Sequence, residues 1–186
     1  RRYESGGMSV VGDVATRALD LGKTLNIPKL GRIDAYVEGN ANIGERMSAE
    51  LSTRVDGIEY NSYRFEHIDA EAQMNGGEYF ATVSSADENL QFDMSGAMNL
   101  DLESPTYNLS LDLYHADLHA FGINKRDTLS TLSMNVGFEA SGRSIDDLVG
   151  ELSIADVEYQ YPGNIVTTDR MLLSMYGEEN FRAAQL

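Results

Sequence analysis

From Ile33 onward the apolar side chains fall on every second residue. Ile33, Ala35, Val37, Ala41 and Ile43 alternate with Asp34, Tyr36, Glu38, Asn40 and Asn42, and Met47, Ala49, Leu51, Thr53 and Val55 alternate with Ser48, Glu50, Ser52, Arg54 and Asp56. A period of two gathers one set on one face of an extended strand, so these segments read as half-buried antiparallel strands. Gly44 and Glu45 supply the tight turn between them. The same period predicts strands over 58–60, 63–74, 79–86, 90–102, 107–121, 129–140, 152–161 and 165–175. The segment 90–102 keeps Leu90, Phe92, Met94, Gly96, Met98, Leu100 and Leu102 on one face. At roughly 3.3 Å per residue that is about 40 Å, far longer than a usual strand of about five or six residues. The alternation slips phase at Phe65-Glu66-His67-Ile68 and at Tyr114-His115-Ala116, which predicts bulges that re-aim the strand and makes His67 a bulge residue.

Upstream the pattern differs. Val10, Val11, Val14, Ala15, Ala18, Leu19, Leu21 and Leu25 recur at helical spacing opposite Asp13, Thr16, Arg17 and Asp20, which predicts a helix over about 10–25 that ends before Pro28 and Gly31. Ser144, followed by Asp146 and Asp147, predicts a short helical turn at about 144–149 with Ser144 as N-cap. A helix of about 22 Å cannot cover eight or more strands. The predicted fold is therefore all-β, mainly antiparallel, with the sheet curling on itself. Its apolar face is either closed into a sandwich or barrel with a filled interior, or left as an open trough. The alternation assigns Ile33, Val37, Leu51, Leu90, Phe92, Met94, Met98, Leu100, Leu109, Leu111, Leu113, Met134, Val136 and Phe138 to that face.

A weak internal echo links Glu50-Leu51-Ser52 and Ile58-Glu59-Tyr60 to Glu151-Leu152-Ser153 and Val157-Glu158-Tyr159. It suggests a single β-rich unit with a two-fold repeat over 30–105 and 129–186.

The 186 residues include 14 Lys+Arg against 30 Asp+Glu, a net charge of −16. Such a surface lacks the basic footprint that nucleic acid or an anionic bilayer requires. With no cysteine there is no disulfide, thiolate metal site or cysteine nucleophile. No run of about 18 apolar residues and no signal peptide occurs. The chain opens at Arg1, and 181–186 begin a new semi-apolar stretch, so both ends are read as cuts in a longer protein.

The one local cluster with metal-ligand chemistry is His115-Ala116-Asp117-Leu118-His119. On a strand its His115, Asp117 and His119 share a face, but neighbours there stand almost 7 Å apart, too far for ligands at about 2.1 Å from one metal. No metal is expected. Asp146-Asp147 and Glu178-Glu179 read as a helix start and a polar turn. With no nucleophile elbow, dinucleotide fingerprint or phosphate loop, neither an enzyme nor a cofactor is expected.

The order of segments resembles a known family. The stretch from Leu19 to Gly39 with Asn26-Ile27-Pro28 and Leu30-Gly31-Arg32-Ile33, then Tyr107-Asn108-Leu109-Ser110-Leu111, Ala116-Asp117-Leu118-His119-Ala120, Leu129-Ser130-Thr131-Leu132-Ser133 and Gly142-Arg143-Ser144-Ile145-Asp146-Asp147-Leu148-Val149-Gly150 are similar to the AsmA-like, TamB-type (translocation and assembly module) envelope proteins of the Bacteroidetes. The likeness runs from about Leu19 to Leu186. It implies the periplasmic part of a protein anchored in the inner membrane, neither anchor nor C-terminal domain lying in this chain. It also implies a long curled sheet whose apolar groove carries phospholipid acyl chains between the membranes, and a role in outer-membrane biogenesis beside an outer-membrane assembly protein. Under this resemblance the fourteen apolar residues above line the groove. The alternative is a structural or ligand-binding β-module of the envelope, adhesin-like or carbohydrate-binding, with a filled core and function in polar loops.

Overall fold

The structure is a computed structural model that describes residues 7–61, 63–100, 103–144, 146–178 and 181–185. Alternating sequence becomes strand throughout: β1 (Met8–Asp20), β2 (Leu30–Ile43), β3 (Ser48–Tyr60), β4 (Tyr63–Phe65), β5 (Ile68–Asn75), β6 (Glu78–Asp87), β7 (Leu90–Asn99), β8 (Thr106–Asp117), β9 (Thr131–Ser141), β10 (Val149–Tyr161), β11 (Asn164–Glu178) and β12 (Phe181–Gln185). Each pairs antiparallel with its neighbour in chain order, except that β4 pairs only with β3, beside β5. The sheet is open, with β1 and β12 at opposite edges.

The helix expected at 10–25 is a correction. Met8–Asp20 is a strand paired with β2 from Met8↔Ile43 to Asp20↔Arg32, and only Leu21–Leu25 form a helix, α1. Two features explain the misreading. Val10, Val11, Val14 and Thr16 are β-branched and lose side-chain freedom in a helix. A bulge at Arg17 and Ala18 (φ 51°) then brings Leu19 back onto the face of Thr16, and that slip mimics helical spacing. The turn of α1 is capped by Asp20, whose carboxylate accepts the Lys23 N–H at 2.9 Å, and it ends at left-handed Asn26 (φ 56°). At 144–149 the described residues form no helix. Asp147 N–H donates to Ser144 O at 3.3 Å, the Asp147 carboxylate accepts from the N–H groups of Arg143 and Ser144, and β10 begins at Val149.

Other boundaries also move. The strand expected over 107–121 stops at Asp117, the one expected over 90–102 stops at Asn99 with 101–102 outside the described residues, and 181–185 pair with β11 as a further strand.

The irregularities line up. Bulges or register slips fall at 17–18 in β1, at 56 in β3, at 66–67 between β4 and β5, at 114–115 in β8 and at 156–157 in β10. All lie between the ladder row Thr16, Ala35, Val55, Ile68, Ser85, Phe92, Leu113, Met134 and the next row of Leu19, Ile33, Ile58 and Phe65, continued by Leu90, Ala116 and Leu132. Each bulge bends and twists its own strand, so a seam of them creases the whole sheet. Left-handed His67 (φ 53°) and Asp156 (φ 51°) sit on this seam.

Beyond the seam the loop 118–130 reaches β4. Its Phe121 ring lies 5.2 Å from both Tyr63 and Phe65, and the Asn61 side chain donates to Phe121 O. Underneath, the nearly sealed Asp87 carboxylate accepts from Tyr63 OH at 2.6 Å, Glu66 N–H at 2.8 Å and Asn89 N–H at 2.9 Å. Burial, then the bond to this carboxylate, pushes the Tyr63 phenol up to about 12. Ser130 is fully buried and shares a hydroxyl contact with Tyr159 at 3.1 Å. This cap joins strands that are not ladder neighbours.

Two outcomes are expected. Phe121→Ala removes a half-buried ring from the cap and should cost about 2 kcal/mol by urea unfolding. The Tyr63 phenol is raised above its unfolded value, so its contribution is whole below about pH 10 and is lost as pH climbs to about 12. Unfolding midpoints measured across that window should fall more steeply for the native chain than for Tyr63→Phe.

Candidate functional site

In an antiparallel ladder, directly opposed residues point to the same side. Register therefore sorts the whole sheet. One face carries the row Val10, Ala41, Ala49, Met74, Tyr79, Met98, Tyr107, Ala140 and, beside it, Gly12, Gly39, Leu51, Ala72, Ala81, Gly96, Leu109, Phe138, Leu152. Next come Val14, Val37, Thr53, Ala70, Val83, Met94, Leu111, Val136, Ile154, and then the row from Thr16 to Met134 at the crease. These four rows hold no carboxylate, ammonium, guanidinium or imidazole. The opposite face carries rows such as Asp13, Glu38, Ser52, Glu71, Thr82, Ser95, Ser110, and its charges pair there, as Arg54 does with Asp69 at 3.2 Å.

Among the described residues nothing covers the apolar face between its rim and the crease. Among the described residues, the only buried apolar side chains are Ala35, Leu113, Ala116 and Ala140, all at the crease or the sheet margin. In mid-face Leu51 is 47% exposed and Met98 36%. A filled sandwich core would have sealed both. A hollow of about 550 Å³ runs along this face from β3 to β9, lined by Leu51, Ala72, Ala81, Gly96, Leu109 and Phe138 and by the neighbouring row. Size alone does not single it out, because a hollow of about 520 Å³ on the opposite face is lined by Asp13, Glu38, Glu50 and Glu71. Chemistry does: the first is hydrocarbon, the second acidic. Monomeric soluble proteins rarely leave a contiguous apolar patch larger than a few hundred Å² without a ligand or partner for it.

Of the fourteen residues read from the alternation, Ile33, Val37, Leu51, Leu90, Phe92, Met94, Met98, Leu109, Leu111, Leu113, Met134, Val136 and Phe138 all lie on this one face. Leu51, Met98, Leu109 and Phe138 line the hollow itself, whereas Ile33 and Leu90 lie beyond the crease. Leu100 follows the end of β7, its N–H bonded to Gly77 O at 2.8 Å. The fourteen leave out the small residues Ala49, Ala72, Ala81 and Gly96, which give the hollow its depth, although the alternation itself includes Ala49 and Gly96. They occupy the same alternating slots, but size-weighted reading of apolar positions passes over them.

His115, Asp117 and His119 are not aligned on a strand face. β8 ends at Asp117, whose carboxylate accepts the N–H groups of His119 at 2.8 Å and Ala120 at 3.0 Å, while His119 Nδ1 lies 3.0 Å from Asn124 O. Among the described residues no three His, Cys, Asp or Glu are grouped to hold a metal ion.

No family model, curated protein or solved structure matches this chain. Among the described residues no helix is long and apolar enough to cross a membrane.

An open face makes a graded expectation for truncations. Leu113→Ala, at 9% exposure, should cost about 3 kcal/mol, whereas Leu51→Ala should cost less than about 1 kcal/mol. Chemical denaturation of the two variants measures the order directly; equal large costs would mean that the face is sealed.

Proposed function

We propose that this sheet is a periplasmic segment of an AsmA-like, TamB-type envelope protein, and that its uncovered apolar face carries phospholipid acyl chains between the two membranes in support of outer-membrane biogenesis. The observation that carries this reading is the run of apolar rows, continuous over nine strands and open to one side. A lipid leaving a bilayer exposes about 0.8 kcal/mol per methylene, on the order of 12 kcal/mol for a sixteen-carbon chain. A conduit must offset that at every point of the path, and an unbroken hydrocarbon face does so without a closing step. The acidic opposite face keeps such a sheet soluble while its apolar side stays uncovered. No catalytic step is assigned to it. An outer-membrane assembly protein is the partner that the family resemblance suggests.

The test replaces Met94 or Leu111, opposed in the third row, by Asp. On an open face water reaches the new carboxylate, so the purified chain should still unfold cooperatively near the native midpoint. A sealed core would unfold, because a buried unpaired carboxylate costs several kcal/mol. In the parent protein the same change should leave protein level normal and the envelope leaky. A folded variant with an intact envelope would refute transport through this segment.

A further inference from the structure

The hollow has a direction and a capacity. It follows the second row across the strands, from Leu51 on β3 to Phe138 on β9, over five inter-strand steps. At about 4.8 Å per step that is about 24 Å. The middle of the row is Ala72, Ala81 and Gly96, three small residues in succession on β5, β6 and β7. Their missing side chains make the floor, and Leu51, Leu109 and Phe138 stand at its ends.

We infer that this hollow is a subsite for one unbranched acyl chain lying across the strands, with Ala72, Ala81 and Gly96 setting its depth. The inference rests on the lipid-carrying reading above. A sixteen-carbon chain at about 30 Å³ per carbon, the share of a water molecule, fills about 480 Å³. The hollow offers about 550 Å³, room for one such chain. Carbon–carbon bonds of about 1.5 Å advance about 1.3 Å each along a zigzag, so the extended chain is about 20 Å long and fits the row lengthwise. The subsite presents no ion-pairing group along this row, so it selects for the hydrocarbon and leaves a headgroup outside.

Gly96 gives a clean test. A Cβ built there meets only Asn108 O at 3.8 Å, ordinary contact, whereas at Gly39 in the same row it would meet Glu50 O at 2.7 Å. A larger residue at 96 thus enters the hollow without moving backbone. The experiment titrates the purified chain with palmitate and counts bound molecules by native mass spectrometry. One palmitate per chain is expected. Gly96→Leu should weaken it at least tenfold, and Ser95→Leu, on the opposite face of the same strand and outside the lining of the hollow, should leave it unchanged. Should Gly96→Leu fail to fold, Ala81→Leu makes the same intrusion from β6. Two or more palmitates per chain, or equal binding by the Leu variants in the hollow, would overturn the one-chain subsite and leave the conduit standing. No palmitate bound to the native chain would overturn both.

Discussion

Cross-strand register is the constraint on which the rest of this molecule depends. Every side chain in an antiparallel ladder takes its face from its partner, so a single slipped strand would turn its apolar set toward water. Here the set keeps one side from Val10 to Leu152 through eight successive pairings. Backbone hydrogen bonds run through every ladder of the sheet, and the alternation of side chains decides which chemistry each face presents. The packed and the open parts of the sheet are thereby separated. The crease and cap do the packing, and the mid-face is left uncovered.

The crease is what turns a sheet into a trough. Bulges at one level of β1, β3, β8 and β10, and at the junction of β4 and β5, bend successive strands at the same height. Beyond it, the Tyr63, Phe65 and Phe121 rings and the sealed Asp87 carboxylate tie β4, the β6–β7 hairpin and the loop after β8 into one block. On the outer surface Asp34 reinforces the same seam. It accepts the Ala18 N–H at 2.6 Å and then the Arg64 guanidinium at 2.7 Å, which holds its carboxyl below the usual range. The sheet beyond the crease is thus tied by side-chain contacts, while Val10 and Met98 toward its other end are exposed.

Much of this was legible in the sequence because strand alternation is a local signal. The faces of β2, β3 and β5 to β9 follow from period two alone, and the slips at Phe65 to Ile68 and at Tyr114 to Ala116 are the bulges that the ladders contain. The signal failed where a bulge imitated another period: Arg17 and Ala18 shift Leu19 by one place, and strand read as helix. It failed again after Asp117, where a turn capped by the Asp117 carboxylate ends β8 while apolar residues continue to Phe121. Whether the apolar face is filled or open was not legible at all, because alternation gives the side of a residue and not what lies against it. The depth of the hollow escaped for a related reason, since Ala72, Ala81 and Gly96 matter by the volume they leave empty.

The chain contains no tryptophan, so one placed on either face reports that face alone. Val83→Trp lies on the apolar side, and Ser84→Trp, its neighbour on β6, lies on the other. Each is mixed with phospholipid whose acyl chains carry bromine, a short-range quencher. An open face that holds acyl chains requires strong quenching at position 83 and little at 84. Equal quenching at both, or none at either, would contradict it.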